Sequence, residues 1–290
     1  MALATLRDVR FTYENADQPA LNGVTLELEP GLVHGIIGLN ASGKTTLCGL
    51  LRGLIPHFHS GELTGEVVVL GKSLLDWDPA ELSRTIGCVF DNPFTQISGI
   101  RDTVFEEIGF GLENLGVPRE QIIDRVSAVI EELGISAIAE KNPNELSGGQ
   151  RQKVAFASII AMDADDMIID EPTSQLDPEA SEAVFEIIAQ LKARGKSIVL
   201  VEHKIDLLAE FADTITVLYE GVVARTGPTR DVLGEPGLEA FGVRPPEVSE
   251  FAWRLAAAGK PLPFFPVTRA EAARAVSQRI EEVSRGDRTA

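Results

Sequence analysis

The chain has 290 residues, 44% of them apolar, with 26 lysines and arginines against 44 aspartates and glutamates and a formal net charge of −18. That length suits one large core, or a core with lobes, and no apolar run reaches the roughly 18 residues of a membrane span. The acidity and the lack of a basic stripe argue against nucleic acid as a partner, because such a binder must replace phosphate counterions with Lys and Arg; the carboxylates read instead as a solvated surface.

The start, Met1-Ala2-Leu3-Ala4-Thr5-Leu6-Arg7-Asp8, has no basic-then-apolar leader, so a cytoplasmic chain is expected, held at a membrane only by a partner. Apolar and polar residues alternate over 6–13 and again over 24–29, the pattern of half-buried strands. A third strand, 33–38, runs straight into a glycine loop, and 44–52 has the apolar content of a helix. Strands follow at 67–70 and 86–90, separated by Gly71 and the turn Asp76-Trp77-Asp78-Pro79. From 103 to 161 the period becomes helical, with helices over 104–115 and 119–133, Pro118 at a helix start and Gly134 just past a helix end. Strand and helix then alternate over 167–170, 178–192 and 197–201, and a strand pair, 214–219 and 222–226, flanks Glu220-Gly221. After about Asp231 prolines break up two short helical stretches, which reads as a C-terminal appendage with a docking surface or a face packed on the chain's own core. Cys48 and Cys88 sit in apolar contexts as buried thiols, and His57-Phe58-His59, without a third ligand, reads as a polar loop.

Three stretches carry chemistry. Gly38-Leu39-Asn40-Ala41-Ser42-Gly43-Lys44-Thr45 fits G-x-x-x-x-G-K-[ST], between a strand and a helix as that motif requires. Its backbone N–H groups cradle phosphate, Lys44 reaches the β/γ oxygens and Thr45 holds Mg²⁺. Met167-Ile168-Ile169-Asp170-Glu171 is an apolar strand ending in two carboxylates, of which Asp170 sits at the sheet edge where such folds bind ligands and can orient a Mg²⁺-bound water. Leu146-Ser147-Gly148-Gly149-Gln150 lies between these two motifs and precedes a helical segment.

In that order the three stretches resemble the ATPase subunit of ABC transporters, over roughly residues 3–230. The resemblance implies an α/β fold: a P-loop NTPase with a RecA-like core, an N-terminal antiparallel β lobe, a helical lobe at about 92–162, and a small C-terminal appendage over 231–290 that helps pair subunits. It implies ATP and Mg²⁺ as cofactors. Gly38, Asn40, Ala41, Ser42, Gly43, Lys44, Thr45 and Thr46 would contact the nucleotide, and Tyr13 would stack on adenine, a surface strand tyrosine being the alternative. Glu171 would be the general base, with catalytic parts for Lys44 and for His203, the switch histidine at the γ-phosphate. Ser147, Gly148, Gly149 and Gln150 would meet ATP held by a second subunit, so that each site is shared across a head-to-tail dimer. Ser174-Gln175-Leu176-Asp177 resembles the D-loop, with Gln175 where the family has alanine; Asp177 contacts the nucleotide region, caps a helix, or does both.

Asn92-Pro93-Phe94-Thr95-Gln96 and the run from Glu106 to Gly116 are similar to the energy-coupling-factor class, prokaryotic importers of vitamins and transition-metal ions. That class pairs two ATPase subunits, alike or different, with a transmembrane coupling protein and a substrate-binding membrane protein. Asp91 stands where the family has a glutamine near Mg²⁺ and the transmembrane partner, and is expected at the cofactor and metal site; its charge opposes the triphosphate unless Mg²⁺ takes it as a ligand. A soluble ABC ATPase unrelated to transport, or a hydrolytically weak regulatory partner, stays open beside the importer subunit.

Overall fold

The computed structural model describes residues 2–90, 96–174 and 176–286, with side chains up to residue 282. In the N-terminal lobe β1 (Ala4–Tyr13) pairs antiparallel with β2 (Leu21–Leu28) and with β4 (Gly61–Val69), and the short β5 (Lys72–Ser73) turns back to pair antiparallel with β4. β4 begins six residues before the alternation at 67–70 suggests. Its first part is solvent-facing and carries no inward apolar set, and pairing from Arg7↔Glu66 to Tyr13↔Gly61 makes it a strand.

The second sheet has the order β10-β9-β3-β8-β7-β6. Here β3 (Val33–Ile37), β6 (Ile86–Val89), β7 (Asp166–Asp170), β8 (Ser197–Val201) and β9 (Thr214–Tyr219) run parallel, and β10 (Val222–Pro228) closes the edge antiparallel to β9. β3, β7 and β8 are buried along their whole length, as strands covered on both faces must be. One apolar cluster fills the space between the antiparallel lobe and the helix Lys44–Leu51; another runs from the parallel sheet into the helices Val104–Asn114, Arg119–Glu132 and Gly148–Met162. Thr103 accepts from the Glu106 N–H and starts the first of those three helices. Cys48 is fully buried and Cys88 only half-buried, both as free thiols, and burial raises the pKa of each.

The start of the C-terminal stretch packs against the main core. Val232, Leu233, Leu238, Val243 and Val267 are buried in the same cluster as the sheet, and the Thr229 hydroxyl donates to the Ala212 carbonyl at 2.7 Å. Burying an aliphatic side chain of this kind is worth about 1.5–3 kcal/mol, so together these side chains rival the whole stability of a domain, about 5–15 kcal/mol. Truncation after Pro228 is therefore expected to give insoluble protein. Truncation after Pro246 keeps all of them but Val267 and is expected to fold. Soluble expression and thermal melting check both, and a stable 1–228 fragment would refute the core-packing argument.

Candidate functional site

Parallel pairing brings three strand ends together. Ile36 of β3 and Asp170 of β7 both sit opposite Val201 of β8, the strand between them. The glycine loop, the Asp170-Glu171 pair and His203 therefore leave the sheet at one carboxyl edge, where open α/β sheets take ligands.

The loop is shaped by close backbone approach. Gly38 has φ 149°, and a Cβ there would lie 2.1 Å from the Leu218 carbonyl oxygen; Gly43 has φ 104° and would meet the Ala20 carbonyl at 2.6 Å. Ala41 also adopts a positive φ, 62°. Asn40 and Ala41 are exposed in this loop, and the Ser42 hydroxyl is buried without a hydrogen-bond partner, a cradle suited to an anion. Lys44 is buried, and its ammonium donates to the Gly38 and Leu39 carbonyls at 3.0 and 2.9 Å. Desolvation lowers the Lys44 pKa, outweighing the upward pull of Glu171 and Asp170, so an anionic ligand beside it restores electrostatic support that burial removed. Thr45 is exposed at the helix start, and Thr46 is buried.

Glu171 follows Asp170 in a left-handed conformation, φ 45°, with its N–H bonded to the Val201 carbonyl at 2.9 Å. Its Oε1 lies 2.9 Å from His203 Nε2. A non-glycine residue at positive φ is strained and is held by its surroundings. Here the turn sends the Glu171 carboxylate away from the strand axis and toward His203.

The Ser147-to-Gln150 segment lies elsewhere. Ser147 caps the helix Gly148–Met162 in a reciprocal box: the Gln150 N–H donates to Ser147 Oγ at 3.4 Å and the Ser147 N–H to Gln150 Oε1 at 3.1 Å. Ser147, Gly148, Gly149 and Gln150 line a groove of about 510 Å³ with Asp177. Asp177 caps the helix Pro178–Ala193, accepting from the Ala180 N–H at 2.8 Å. Gly38, Asn40 and His203 line a different cleft, of about 380 Å³, with Arg244 from the C-terminal stretch. Thus Lys44, Asp170, Glu171 and His203 come together within one chain, and the 147–150 segment does not join them. Tyr13 is half-buried, edge-on to Phe11, with its hydroxyl 3.1 Å from Thr46 Oγ1, which places it beside the loop helix. Asp91 and Gln175 lie outside the described residues.

Sequence reasoning missed Glu202, Thr173 and Lys204, which surround His203. Glu202 is 2% exposed; in the sequence it is only a carboxylate after an apolar strand, and nothing there signals its burial. Among the described residues no group of three or more His, Cys, Asp or Glu could hold a metal ion. The oxygen donors of Thr45 and Asp170 suit Mg²⁺, a hard cation that uses one or two protein ligands and completes its shell with phosphate and water.

Residues 21–174 match the ABC transporter family model. The chain belongs to the ABC transporter family. Its ATP-binding domain is an ATPase that uses ATP and Mg²⁺. Among curated relatives, an energy-coupling factor transporter ATP-binding protein, EcfA2 of Streptococcus sanguinis, is 35% identical over 269 residues, covering 91% of this chain and 95% of its own. Among solved structures, CbiO1 of Clostridium perfringens, part of the ABC transporter complex cbiONQ, has a TM-score of 0.74 at 26% identity over 89% of this chain and 97% of its own. An ATP-binding cassette solved as a dimer with ADP and Pi has a TM-score of 0.68 at 27% identity, over 78% of this chain and 99% of that one. The ABC chain spans 40–45% of the length of several curated relatives and 90–95% of others. Within the family it is most like the energy-coupling-factor and cobalt-type class.

Proposed function

We propose that this protein is the ATP-hydrolysing subunit that powers import of a micronutrient, a vitamin or a transition-metal ion, through a membrane complex. It acts at the cytoplasmic face beside a second ATPase subunit, identical or paralogous, with a transmembrane coupling protein and a substrate-binding membrane protein. No helix among the described residues is long and apolar enough to cross a membrane. The observation that carries the reading is the separation of the two half-sites: the loop and His203 line one cleft, with Glu171 bonded to His203, and Ser147 to Gln150 line another. A site divided in this way supports completion by a second subunit. The likeness to EcfA2 along nearly the full length of both chains supports the importer class.

In this reading the amides of the loop and Lys44 bind the β- and γ-phosphates, and Thr45 and Asp170 hold Mg²⁺, which supplies charge stabilisation at the phosphates. Glu171 accepts the proton of the attacking water, and His203 orients the Glu171 carboxylate and contacts the γ-phosphate. Ser147 and Gly149 of the second subunit supply donors to the same phosphate through a helix N-terminus. Residues 231–290 assist pairing, and Tyr13 lies beside the adenine. A groove of about 380 Å³ between the helical lobe and the parallel sheet, lined by Arg52, Phe90, Phe110, Ile159 and Met162, suits an apolar segment of the coupling protein.

Co-expression with the coupling protein from the same gene neighbourhood tests this. The expected result is a detergent-stable complex whose ATPase rate exceeds that of the isolated chain. Failure of every such partner to bind, with the isolated chain fully active, would favour a soluble ABC ATPase instead.

A further inference from the structure

We propose that Glu202 is a positioning residue for hydrolysis: its buried carboxylate ties the backbone at His203 to the turn after Glu171, fixing the distance between base and switch histidine. The inference rests on the roles given above to Glu171 and His203.

Two short segments, 171–173 and 201–204, are joined by several bonds. The Glu171 N–H donates to the Val201 carbonyl at 2.9 Å. The Thr173 hydroxyl donates to Glu202 Oε2 at 2.7 Å, and Thr173 has no exposed surface. Glu202 Oε1 accepts from the N–H groups of His203 and Lys204 at 2.8 and 3.2 Å. The Lys204 ammonium donates to the Thr173 carbonyl at 3.3 Å and also to the Ser181 hydroxyl, on the helix Pro178–Ala193. The residues on either side of His203 thus both reach Thr173, two positions beyond Glu171. His203 and Glu171 are the partly exposed tips of this assembly.

Such an arrangement decides where the imidazole can go. The Glu202 N–H still reaches the Ile36 carbonyl of β3 at 3.4 Å, but the N–H groups of His203 and Lys204 beyond it go to the Glu202 side chain, which takes the place of a ladder. A buried carboxylate with all its bonds made has one favoured geometry, whereas leaving those donors unpaired is costly enough to make the segment shift. Catalytic groups lose about a hundredfold in rate on displacement by about 1 Å, so Glu202 acts through His203 and Glu171 without touching the nucleotide.

Glutamine keeps the shape: its carbonyl accepts both N–H groups and its amide donates to the Thr173 hydroxyl, which can turn to accept. Alanine leaves all three without a partner. In the full-length chain at saturating MgATP, Glu202→Ala is expected to lower kcat about 30- to 100-fold, Thr173→Val about three- to tenfold, and Glu202→Gln less than about threefold. Affinity for a fluorescent ATP analogue should stay within about twofold throughout, since the phosphate cradle is untouched. In nucleotide-free protein, the NMR resonance of the His203 ring Cε1–H should move in Glu202→Ala and hold its position in Glu202→Gln. A parent-like kcat in Glu202→Ala, an equal loss in the glutamine variant, or a loss confined to ATP affinity overturns the proposal. If Glu202→Ala does not fold, a parent-like kcat and ring resonance in Thr173→Val overturn it. Glu171→Gln and His203→Ala, measured alongside, separate the two readings: if they too hydrolyse ATP at the parent rate, the assigned roles of base and switch fail, not the positioning alone.

Discussion

Glu171→Gln is expected to slow ATP hydrolysis by about 10²–10⁴-fold, the usual contribution of a positioned general base, with ATP binding close to that of the parent. The amide has the shape of the carboxylate and can still meet His203 Nε2, now 2.9 Å from Glu171 Oε1, so the strained turn has no reason to move. The lost function is proton acceptance, which matters as the reaction proceeds and not in the ground state. A shared site then fills with ATP and does not empty, and the ATP-bound dimer accumulates. Single-turnover hydrolysis and size-exclusion chromatography with ATP check both halves. A Glu171→Gln protein that binds ATP yet stays monomeric with every partner offered would sink the shared-site model.

Lys44→Ala is expected to abolish hydrolysis for a different reason. The side chain is 4% exposed, and its ammonium donates to two carbonyls of the loop that it also helps to shape. Alanine removes the cation and leaves the Gly38 and Leu39 carbonyls without that donor. Losing one partner of a largely desolvated charge contact costs about 3–5 kcal/mol, which is about 10²–10⁴-fold in Kd. Lys44→Arg is not expected to rescue, because a planar guanidinium fork does not fit where a compact ammonium reaches between two carbonyls. Isothermal titration with ATP and Mg²⁺ distinguishes Glu171→Gln, which keeps the binding heat, from Lys44→Ala, which loses it. Parent-like ATP affinity in Lys44→Ala would refute this account of the lysine.

The parts of the site that the sequence determined are those whose constraint is local. A glycine loop between a buried strand and a helix requires residues 38 and 43 to adopt φ values that side chains avoid, and the seven positions from Gly38 to Lys44 carry that requirement by themselves. Asp170 and Glu171 were legible because an apolar strand has to end where its carboxylates begin. Ser147 was legible as a motif residue, and its capping box with Gln150 is a four-residue interaction. The same holds for Asp177, whose helix cap is local. The order of the main strands and helices followed from periodicity, with β4 starting early where pairing replaced pattern; the short helices Pro79–Thr85 and Ile205–Phe211 and the strand Lys72–Ser73 did not.

What the tertiary structure decided depends on residues far apart in the chain. Glu202 reads as a stray charge until β8 is laid between β3 and β7 and Thr173, 29 positions away, meets it. The contact of Leu39 with Gly242, where an added Cβ would lie 2.5 Å from the leucine side chain, brings the C-terminal stretch against the glycine loop, and no sequence pattern in either segment announces it. Phe241, Phe251, Trp253, Phe264 and Phe265 suited a docking surface and a core contact equally in the sequence; packing puts Phe241 and Phe265 against the core and leaves Phe251 exposed. Dihedral constraints act within a few residues and leave their mark on residue type. Close packing and buried hydrogen bonds act between whichever segments the sheet order makes neighbours, and those neighbours exist only once the chain has folded.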